Sequence, residues 1–160
     1  MLMNTDKAYL FGLIIGGGVF SNAEDYLRIR LPYKQWGSYE ANPQRASDIS
    51  RDIMGFLSPL FRSVYNINIS YETPPSGIWY VICEGDLSEL ISDLRSYGIQ
   101  CEGDLRCNAS ISEIVKSLVD DNLKRRFIAG LADTIGSTNP NHRRFTNEVQ
   151  ILSFELKGFN

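Results

Sequence analysis

A short apolar phrase occurs twice in this chain, at 8–18 and again at 126–136. Each copy contains a Gly-Leu step, at Gly12 in the first and at Gly130 in the second, with an aromatic residue three positions before the glycine. Apolar residues around both steps predict two buried helices. A glycine in a helix interior costs about 1 kcal/mol relative to alanine, so its presence in both copies indicates a packing reason.

The rest of the chain alternates between helical and strand patterns. Strict alternation of apolar and polar residues over 26–34 predicts a half-buried strand, and two strand-like runs at 67–71 and 78–83 predict a hairpin. The first helix should run from Thr5 or Asp6 to about Ile15. A short strand at 19–20 should pair with 26–34, and a helix should then begin at Pro43 and be kinked or ended by Pro59. After the hairpin, capping boxes at 86–89 and 110–113 each predict the start of a helix, the first of which should end near Gly98. The second motif helix follows 120–122, and a last strand is predicted at 145–156.

The two phrases and this order of elements resemble the LAGLIDADG family of homing endonucleases and their DNA-binding relatives. The resemblance implies an α+β fold, with a LAGLIDADG-like αββαββα unit and an antiparallel sheet, followed by a second motif helix and a strand. It also implies that the two motif helices pack side by side through small residues. The residues that fit this role are Gly12 and Gly16 in the first helix and Gly130 and Thr134 in the second.

The same resemblance predicts the domain organisation. We expect one DNA-binding domain over 1–160, with a first repeat over about 1–109 and a partial second repeat over about 110–160. Because the second repeat stops after its first strand, we expect either a natural half-repeat or, as the favoured alternative, a fragment of a longer protein. A nuclease or an NTPase would then belong to the missing region.

The catalytic acids of the family are absent from both motifs. In active members the eighth motif position is an acidic metal ligand, and here that position is Gly17 in the first copy and Ile135 in the second. Asp133 matches the first acidic position of the second motif, which is not the metal-binding one, and is expected to be a polar or capping residue. The resemblance therefore implies no catalytic residue, no metal and no cofactor. Displaced carboxylates at Glu24 and Asp25 keep an active metal-dependent endonuclease open as an alternative.

DNA binding does not require those acids, because family members lay an antiparallel sheet across the major groove. The formal net charge is -3, so any affinity for DNA must come from a local patch. The strand at 26–34 places an Arg-x-Arg pair on its polar face directly after the motif helix. The candidate DNA-binding residues are Tyr26, Arg28, Arg30 and Lys34 on this strand, Asn68 and Ser70 on the hairpin, and Arg143, Arg144 and Gln150 in the second repeat.

Composition points to a cytoplasmic protein. The chain has 3 Cys and 1 His without a zinc-binding spacing, which indicates reduced structural thiols. The apolar stretch at 8–20 imitates a signal peptide, but Asp6 and the three glycines at 16–18 argue against one, and the stretch is too short to span a bilayer.

The sequence therefore predicts a sequence-specific or modification-specific unit that binds double-stranded DNA and does not contact membranes. It would be the catalytically degenerate target-recognition part of a restriction system or a regulator, with further domains or subunits as partners. A protein-interaction module is the other alternative.

Overall fold

A computed structural model of the chain describes residues 3–31, 43–73, 79–101, 103 and 107–135. Helices and strands alternate along this part of the chain. The elements are α1 (Thr5–Gly17), β1 (Gly18–Phe20), β2 (Tyr26–Leu31), α2 (Pro43–Tyr65), β3 (Ile69–Glu72), β4 (Trp79–Glu84), α3 (Ser88–Ser96), α4 (Ile111–Ser117) and α5 (Asp121–Ile135).

The strands form one antiparallel sheet in the order β1-β2-β4-β3. Leu27 on β2 lies opposite Phe20 on β1 and Cys83 on β4, and Cys83 lies opposite Ile69 on β3, so these four side chains form one row across the sheet. The predicted strand at 19–20 and the predicted hairpin are thereby confirmed as paired strands. The described part of the chain is a mixed α+β fold with five helices and a four-stranded antiparallel sheet.

The core lies between one face of this sheet and the helices. Leu27, Ile29 and Leu31 of β2 are buried, and Trp79 of β4 is fully buried while its Nε1 donates a hydrogen bond of 2.9 Å to Ser50 Oγ on α2. Helix α1 is buried from 8 to 16, because a helix that is apolar on all sides needs partners on all sides. In the described ranges, no helix is long and apolar enough to cross a membrane.

Helices α1 and α5 cross with their backbones in close contact at Gly12 and Gly130. A Cβ added to Gly12 would lie 2.8 Å from the Leu131 nitrogen and 3.0 Å from the Gly130 Cα. A Cβ added to Gly130 would lie 2.8 Å from the Leu13 nitrogen and 3.0 Å from the Gly12 Cα. Real Cβ atoms are not found this close to backbone atoms, so only glycine fits at either position without a shift of the helices.

One turn further along the same crossing, Gly16 lies against Thr134. A Cβ on Gly16 would lie 2.8 Å from the Thr134 Cβ and even closer to its hydroxyl oxygen. That hydroxyl donates to backbone oxygens of its own helix, at 3.2 Å to Gly130 and 3.0 Å to Leu131. The four residues singled out from the two motifs therefore lie together in one interface.

A buried polar cluster joins three helices. The Asp93 carboxylate on α3 accepts hydrogen bonds from Lys7 Nζ on α1 at 2.9 Å and from the Tyr65 hydroxyl on α2 at 2.8 Å. Burial, together with the hydrogen bond to Asp93, raises the pKa of Tyr65. The Tyr65 hydroxyl therefore keeps its proton and donates it to the carboxylate, which satisfies a buried acid that is only 8 % exposed.

The end predicted for α1 is wrong, and one of the two effects predicted for Pro59 is excluded. Helix α1 does not end at Ile15 but continues to Gly17 and leads directly into β1, because Gly16 and Gly17 are held by packing against Thr134 and the Arg30 backbone. Pro59 does not end α2, which runs on to Tyr65. Pro59 lies on the exposed side of α2, as does Gly55 four residues earlier, so water can hydrate the carbonyl that loses its intrahelical partner.

The two capping boxes have different outcomes. Ser110 caps α4 as predicted, because its Oγ accepts from the Glu113 nitrogen at 3.4 Å. Asp86 does not cap the next helix. Its carboxylate accepts from the nitrogen and the hydroxyl of Ser88, at 3.0 and 2.6 Å, so it forms a turn before α3 and the helix begins at Ser88. The predicted strand at 145–156 and the end of the strand at 26–34 lie outside the described residues.

The close crossing predicts opposite effects for two kinds of glycine substitution. Gly12→Ala and Gly130→Ala should each lower the free energy of unfolding by about 1–3 kcal/mol, because the methyl group meets backbone atoms of the other helix. Gly55→Ala is the matched control. Its added Cβ has no neighbour within 4 Å, so it should raise stability by up to about 1 kcal/mol through helix propensity. Urea unfolding followed by circular dichroism measures all three, and unchanged stability in both crossing variants would contradict this interface.

Candidate nucleic-acid interface

The sheet has a second face on which the strands present mainly polar side chains. This open face consists of the residues at alternate positions to the core, which the strand register places together: Val19, Tyr26, Arg28, Arg30, Ser70, Glu72, Tyr80, Ile82 and Glu84. On β2 the burial alternates strictly, with Arg28 and Arg30 exposed between the buried residues Leu27, Ile29 and Leu31. The polar face predicted from the alternation of β2 is therefore directed away from the core.

Arg28 is positioned by an aromatic neighbour. Its Cζ atom lies 4.6 Å from the centroid of the ring of Tyr80, which lies on the neighbouring strand β4. An arginine at this distance over an aromatic ring gains about 0.5–1 kcal/mol at an exposed site. Among the described residues neither Arg28 nor Arg30 forms an ion pair with a carboxylate. Within that part of the chain, both guanidinium groups therefore keep their hydrogen-bond donors available for a ligand.

Apolar and acidic groups complete the open face. Ile82 lies directly opposite Arg28 and is only 5 % exposed, so it forms an apolar floor beneath the longer side chains. Glu84 lies opposite Tyr26, and Glu72 lies opposite Tyr80 at the outer edge. Partial burial, with the nearby charge of Glu72, raises the pKa of Tyr26, so its hydroxyl remains a hydrogen-bond donor. The described open face thus combines donors, acceptors and apolar contacts.

The other candidate residues fall into two groups. Ser70 lies exposed on β3 in the same row as Arg28, and Asn68 lies exposed just before that strand. Lys34, Arg143, Arg144 and Gln150 lie outside the described residues. The structure thus brings Tyr26, Arg28, Arg30 and Ser70 onto one surface.

Tyr80, Ile82 and Glu84 were not identified from the sequence. β4 is nearly continuously apolar, with a burial pattern that does not alternate, so periodicity could not show which of its residues share a face with Arg28. Pairing β4 with β2 was the missing information. A cross-strand aromatic next to an Arg-x-Arg strand is the signal that could have indicated Tyr80.

The two motif positions that are acidic in active family members have no carboxylate. Gly17 is pressed against β2, since a Cβ there would lie 3.2 Å from the Arg30 nitrogen and 3.3 Å from its carbonyl carbon. Any side chain at this position would displace the strand. Ile135 is a partly buried hydrocarbon that packs against the core.

The remaining acids near the motifs have protein partners. The Tyr9 hydroxyl donates a hydrogen bond of 2.6 Å to Asp133 Oδ2, which joins α1 to α5. Burial raises the pKa of Tyr9, and this hydrogen bond raises it further. Glu24 forms an ion pair with Arg95, and Asp25 accepts from the Ser21 hydroxyl at 3.0 Å. Each of these carboxylates therefore has a structural role within the described part of the chain.

An apolar cavity of about 400 Å³ lies beside the helix crossing. Leu13, Leu31, Ile53 and Leu57 contribute to its walls, and its polar groups include Asp52 and Asp133. Asp133 already accepts from Tyr9, so the cavity has few polar groups left to orient a ligand. We therefore place the candidate interface on the open face of the sheet.

Comparison with protein-family models, with curated proteins and with solved structures finds no match for this chain.

The contact between Tyr9 and Asp133 predicts a measurable coupling between the two motif helices. Tyr9→Phe and Asp133→Ala should each destabilise the chain by about 0.5–2 kcal/mol, because each removes one partner of a partly buried charged hydrogen bond. The double variant should cost less than the sum of the two, by about 1 kcal/mol. Thermal and urea unfolding of the four proteins in this cycle give the coupling. Strict additivity would contradict a direct contact.

Proposed function

We propose that this chain is a catalytically degenerate LAGLIDADG-like unit that binds double-stranded DNA with the open face of its sheet. The observation that carries the proposal is the pair Arg28 and Arg30, exposed side by side on β2 without an ion-pair partner in the described ranges, on the strand that follows the first motif helix. Guanidinium groups bind phosphates and guanine edges through the same donors.

The order of elements supports the family part of the proposal. From α1 to α3 the chain runs helix, two strands, helix, two strands, helix, and the sheet order is β1-β2-β4-β3. This order supports the proposal, because the resemblance implies an αββαββα unit. Helix α5 then returns to pack on α1, as expected for the first helix of a second repeat.

The contacts between α1 and α5 provide support that does not depend on any other protein. The added Cβ of Gly12 meets Phe127, Gly130 and Leu131, and the added Cβ of Gly130 meets Tyr9, Gly12 and Leu13. Each glycine therefore meets the same three motif positions of the other helix. The two copies are therefore related by a local two-fold axis at the crossing, which is the relation expected of two repeats in one unit.

The open face has chemistry suited to base edges in the major groove. Arg28 and Arg30 are two residues apart, about 7 Å along a strand, which matches two base-pair steps of about 3.4 Å each. Arginine reads guanine, glutamates such as Glu84 accept from the cytosine amino group, and apolar side chains such as Val19 contact the thymine methyl group. Because Glu72 and Glu84 offset the two arginines, the described face favours sequence-dependent contacts over general attraction to phosphates.

This role fits the target-recognition part of a restriction system or a regulator, with other domains or subunits of a longer protein supplying any catalytic activity. Recognition of a particular sequence or of a modified base would both use the same face. A library of duplex sites, with and without cytosine methylation, would separate these two forms of specificity.

The proposal predicts that Arg28→Ala and Arg30→Ala weaken binding to duplex DNA. Each lost phosphate contact should flatten the slope of log affinity against log salt by about 1. A lost base contact should instead cost about 1–3 kcal/mol at one sequence position. Fluorescence anisotropy over a salt titration measures both effects.

Arg62→Ala is the matched control, because it removes the same charge from an exposed position on α2, in the helical layer. It should bind DNA like the parent chain. All three variants should melt close to the parent, since exposed charges contribute little to stability. If Arg28→Ala and Arg30→Ala bind as tightly as Arg62→Ala at every salt concentration, the open face does not bind DNA.

The endonuclease alternative predicts metal-dependent nicking of supercoiled plasmid. We expect none with magnesium or manganese, because Gly17 and Ile135 offer no ligand and Glu24 is ion-paired with Arg95. Nicking that is lost in Glu24→Gln or Asp25→Asn, but retained in the control Glu113→Gln on α4, would establish displaced catalytic carboxylates and contradict the degenerate assignment.

The protein-interaction alternative is favoured by one observation, the equal number of arginines and glutamates on the described open face. A face of this kind can also complement a partner protein of mixed charge. Glu72→Gln and Glu84→Gln separate the two functions. If the open face binds DNA, removing a negative charge close to the phosphates should strengthen binding to duplex DNA. If the face binds only protein, neither the parent chain nor these variants should bind DNA.

A further inference from the structure

Cys101 and Cys107 lie on opposite arms of a short antiparallel bridge beside β1. Gln100 and Asn108 exchange both backbone hydrogen bonds, at 2.9 and 2.7 Å. Cys101 and Cys107, one step inward, are therefore a pair without mutual backbone hydrogen bonds. The Cys107 N–H accordingly points away from Cys101 and donates to the Gly18 oxygen at 3.4 Å. In such pairs the Cα atoms are about 4.5 Å apart, which lies in the range that a disulfide accepts.

The two thiols already contact one another. Neither cysteine is in a disulfide, and a side-chain hydrogen bond joins the two. Their side chains therefore point to the same side of the bridge. A bond between the two sulfur atoms would need only small side-chain rotations, because the backbone is already placed for it.

Cys101 has the surroundings of a reactive thiol. The hydrogen bond from Cys107 lowers the pKa of Cys101 against the opposing effect of burial. The positive charge of Arg95 also lowers it, while the negative charge of Glu24, the ion-pair partner of Arg95, acts against this. A cavity of about 390 Å³, lined by Arg95 and Cys101 among others, gives a small solute access to the sulfur. These conditions favour the nucleophilic thiolate.

Cys83 provides an internal contrast. It is fully buried in the core, and burial raises the pKa of its thiol to about 12. It therefore stays protonated at neutral pH and should be inert. The three cysteines thus divide into one unreactive core residue and one adjacent pair.

We propose that Cys101 and Cys107 are a redox site that forms a reversible disulfide with a small hydroperoxide as oxidant. The Cys101 thiolate attacks the terminal oxygen of the hydroperoxide, and an S–O bond forms as the O–O bond breaks. The departing oxyanion takes a proton and becomes water when the oxidant is hydrogen peroxide, or an alcohol when it is an alkyl hydroperoxide. Cys107 then attacks the sulfenic sulfur, an S–S bond replaces the S–O bond, and water leaves with the Cys107 proton. Two thiols are oxidised and one hydroperoxide is reduced.

The disulfide would fix the bridge at the edge of the sheet. Cys107 is bound to Gly18 at the start of β1, and Gly103, between the two cysteines, packs against Asn22 in the turn that follows β1. Oxidation should therefore restrain Gly103 and Cys107 beside β1. This inference is independent of the DNA-binding proposal.

Peroxide treatment of the full chain tests the proposal. After treatment with hydrogen peroxide, two of the 3 thiols should no longer react with an alkylating reagent. The mass of the protein should fall by that of two hydrogen atoms. Digestion should give the peptides of Cys101 and Cys107 joined, with Cys83 still free. Dithiothreitol should restore all thiols, and the oxidised chain should melt several degrees above the reduced one.

Three variants assign the roles. Cys107→Ser should stop at a sulfenic acid on Cys101 that dimedone traps, and Cys101→Ser should consume peroxide several-fold more slowly. Cys83→Ser, the control, should form the disulfide like the parent.

If any variant fails to fold, the peptide map of the oxidised parent chain is sufficient to test whether Cys101 and Cys107 form the disulfide. Oxidation of Cys83 before the pair, disulfides only between two chains, or a parent that keeps all its thiols in peroxide would each overturn the proposal.

Discussion

The close approach of helices α1 and α5 at Gly12 and Gly130 determines how the rest of the structure is arranged. Helix α1 is apolar on every side and must be covered on every side, and α5 can cover it closely only because neither crossing residue carries a side chain. The hydrogen bond from Tyr9 to Asp133 adds a polar contact to the same interface. Because α1 continues into β1 without a loop, the position of this helix also sets the position of the sheet edge.

The same geometry leaves no room for a side chain at the end of α1. Gly17 is the last residue of α1 and lies against the backbone of Arg30 on β2. A carboxylate there would push the strand away from the helix, and with it the side chains on the open face. Close packing of helix and strand and a metal ligand at this position are therefore mutually exclusive. In the proposed function this chain has kept the packing that aims Arg28 and Arg30.

Patterns that depend on local spacing could be predicted from the sequence, and those that depend on distant partners could not. The alternation of β2 identified which of its residues are exposed, and Ser110 was recognised as a cap, because both signals are contained in a few neighbouring residues. The end of α1 was misplaced because Gly16 and Gly17 are stabilised by contacts with α5 and β2, which override the low helix propensity of glycine. The sequence could not decide between the two effects predicted for Pro59, because the outcome depends on whether its side of α2 faces water.

The candidate interface shows the same division. Arg28 and Arg30 were found from strand parity, whereas Tyr80 required knowledge that β4 pairs with β2. The cluster of Lys7, Tyr65 and Asp93 was also invisible, because its members come from three helices far apart in the sequence. Side chains brought together by tertiary pairing have no spacing in the sequence to reveal them.

The acidic net charge and a DNA-binding face are compatible because binding depends on the local field. Exposed carboxylates such as Asp52 and Glu113 lie on helices α2 and α4, outside the open face. They reduce attraction to phosphates at long range, and the two glutamates of the open face reduce it further at short range. The affinity of the open face for DNA would then depend on how well its guanidinium donors are oriented. Stacking of Arg28 on Tyr80 restricts that side chain before any ligand arrives, so less conformational entropy is lost when its guanidinium meets a base or a phosphate.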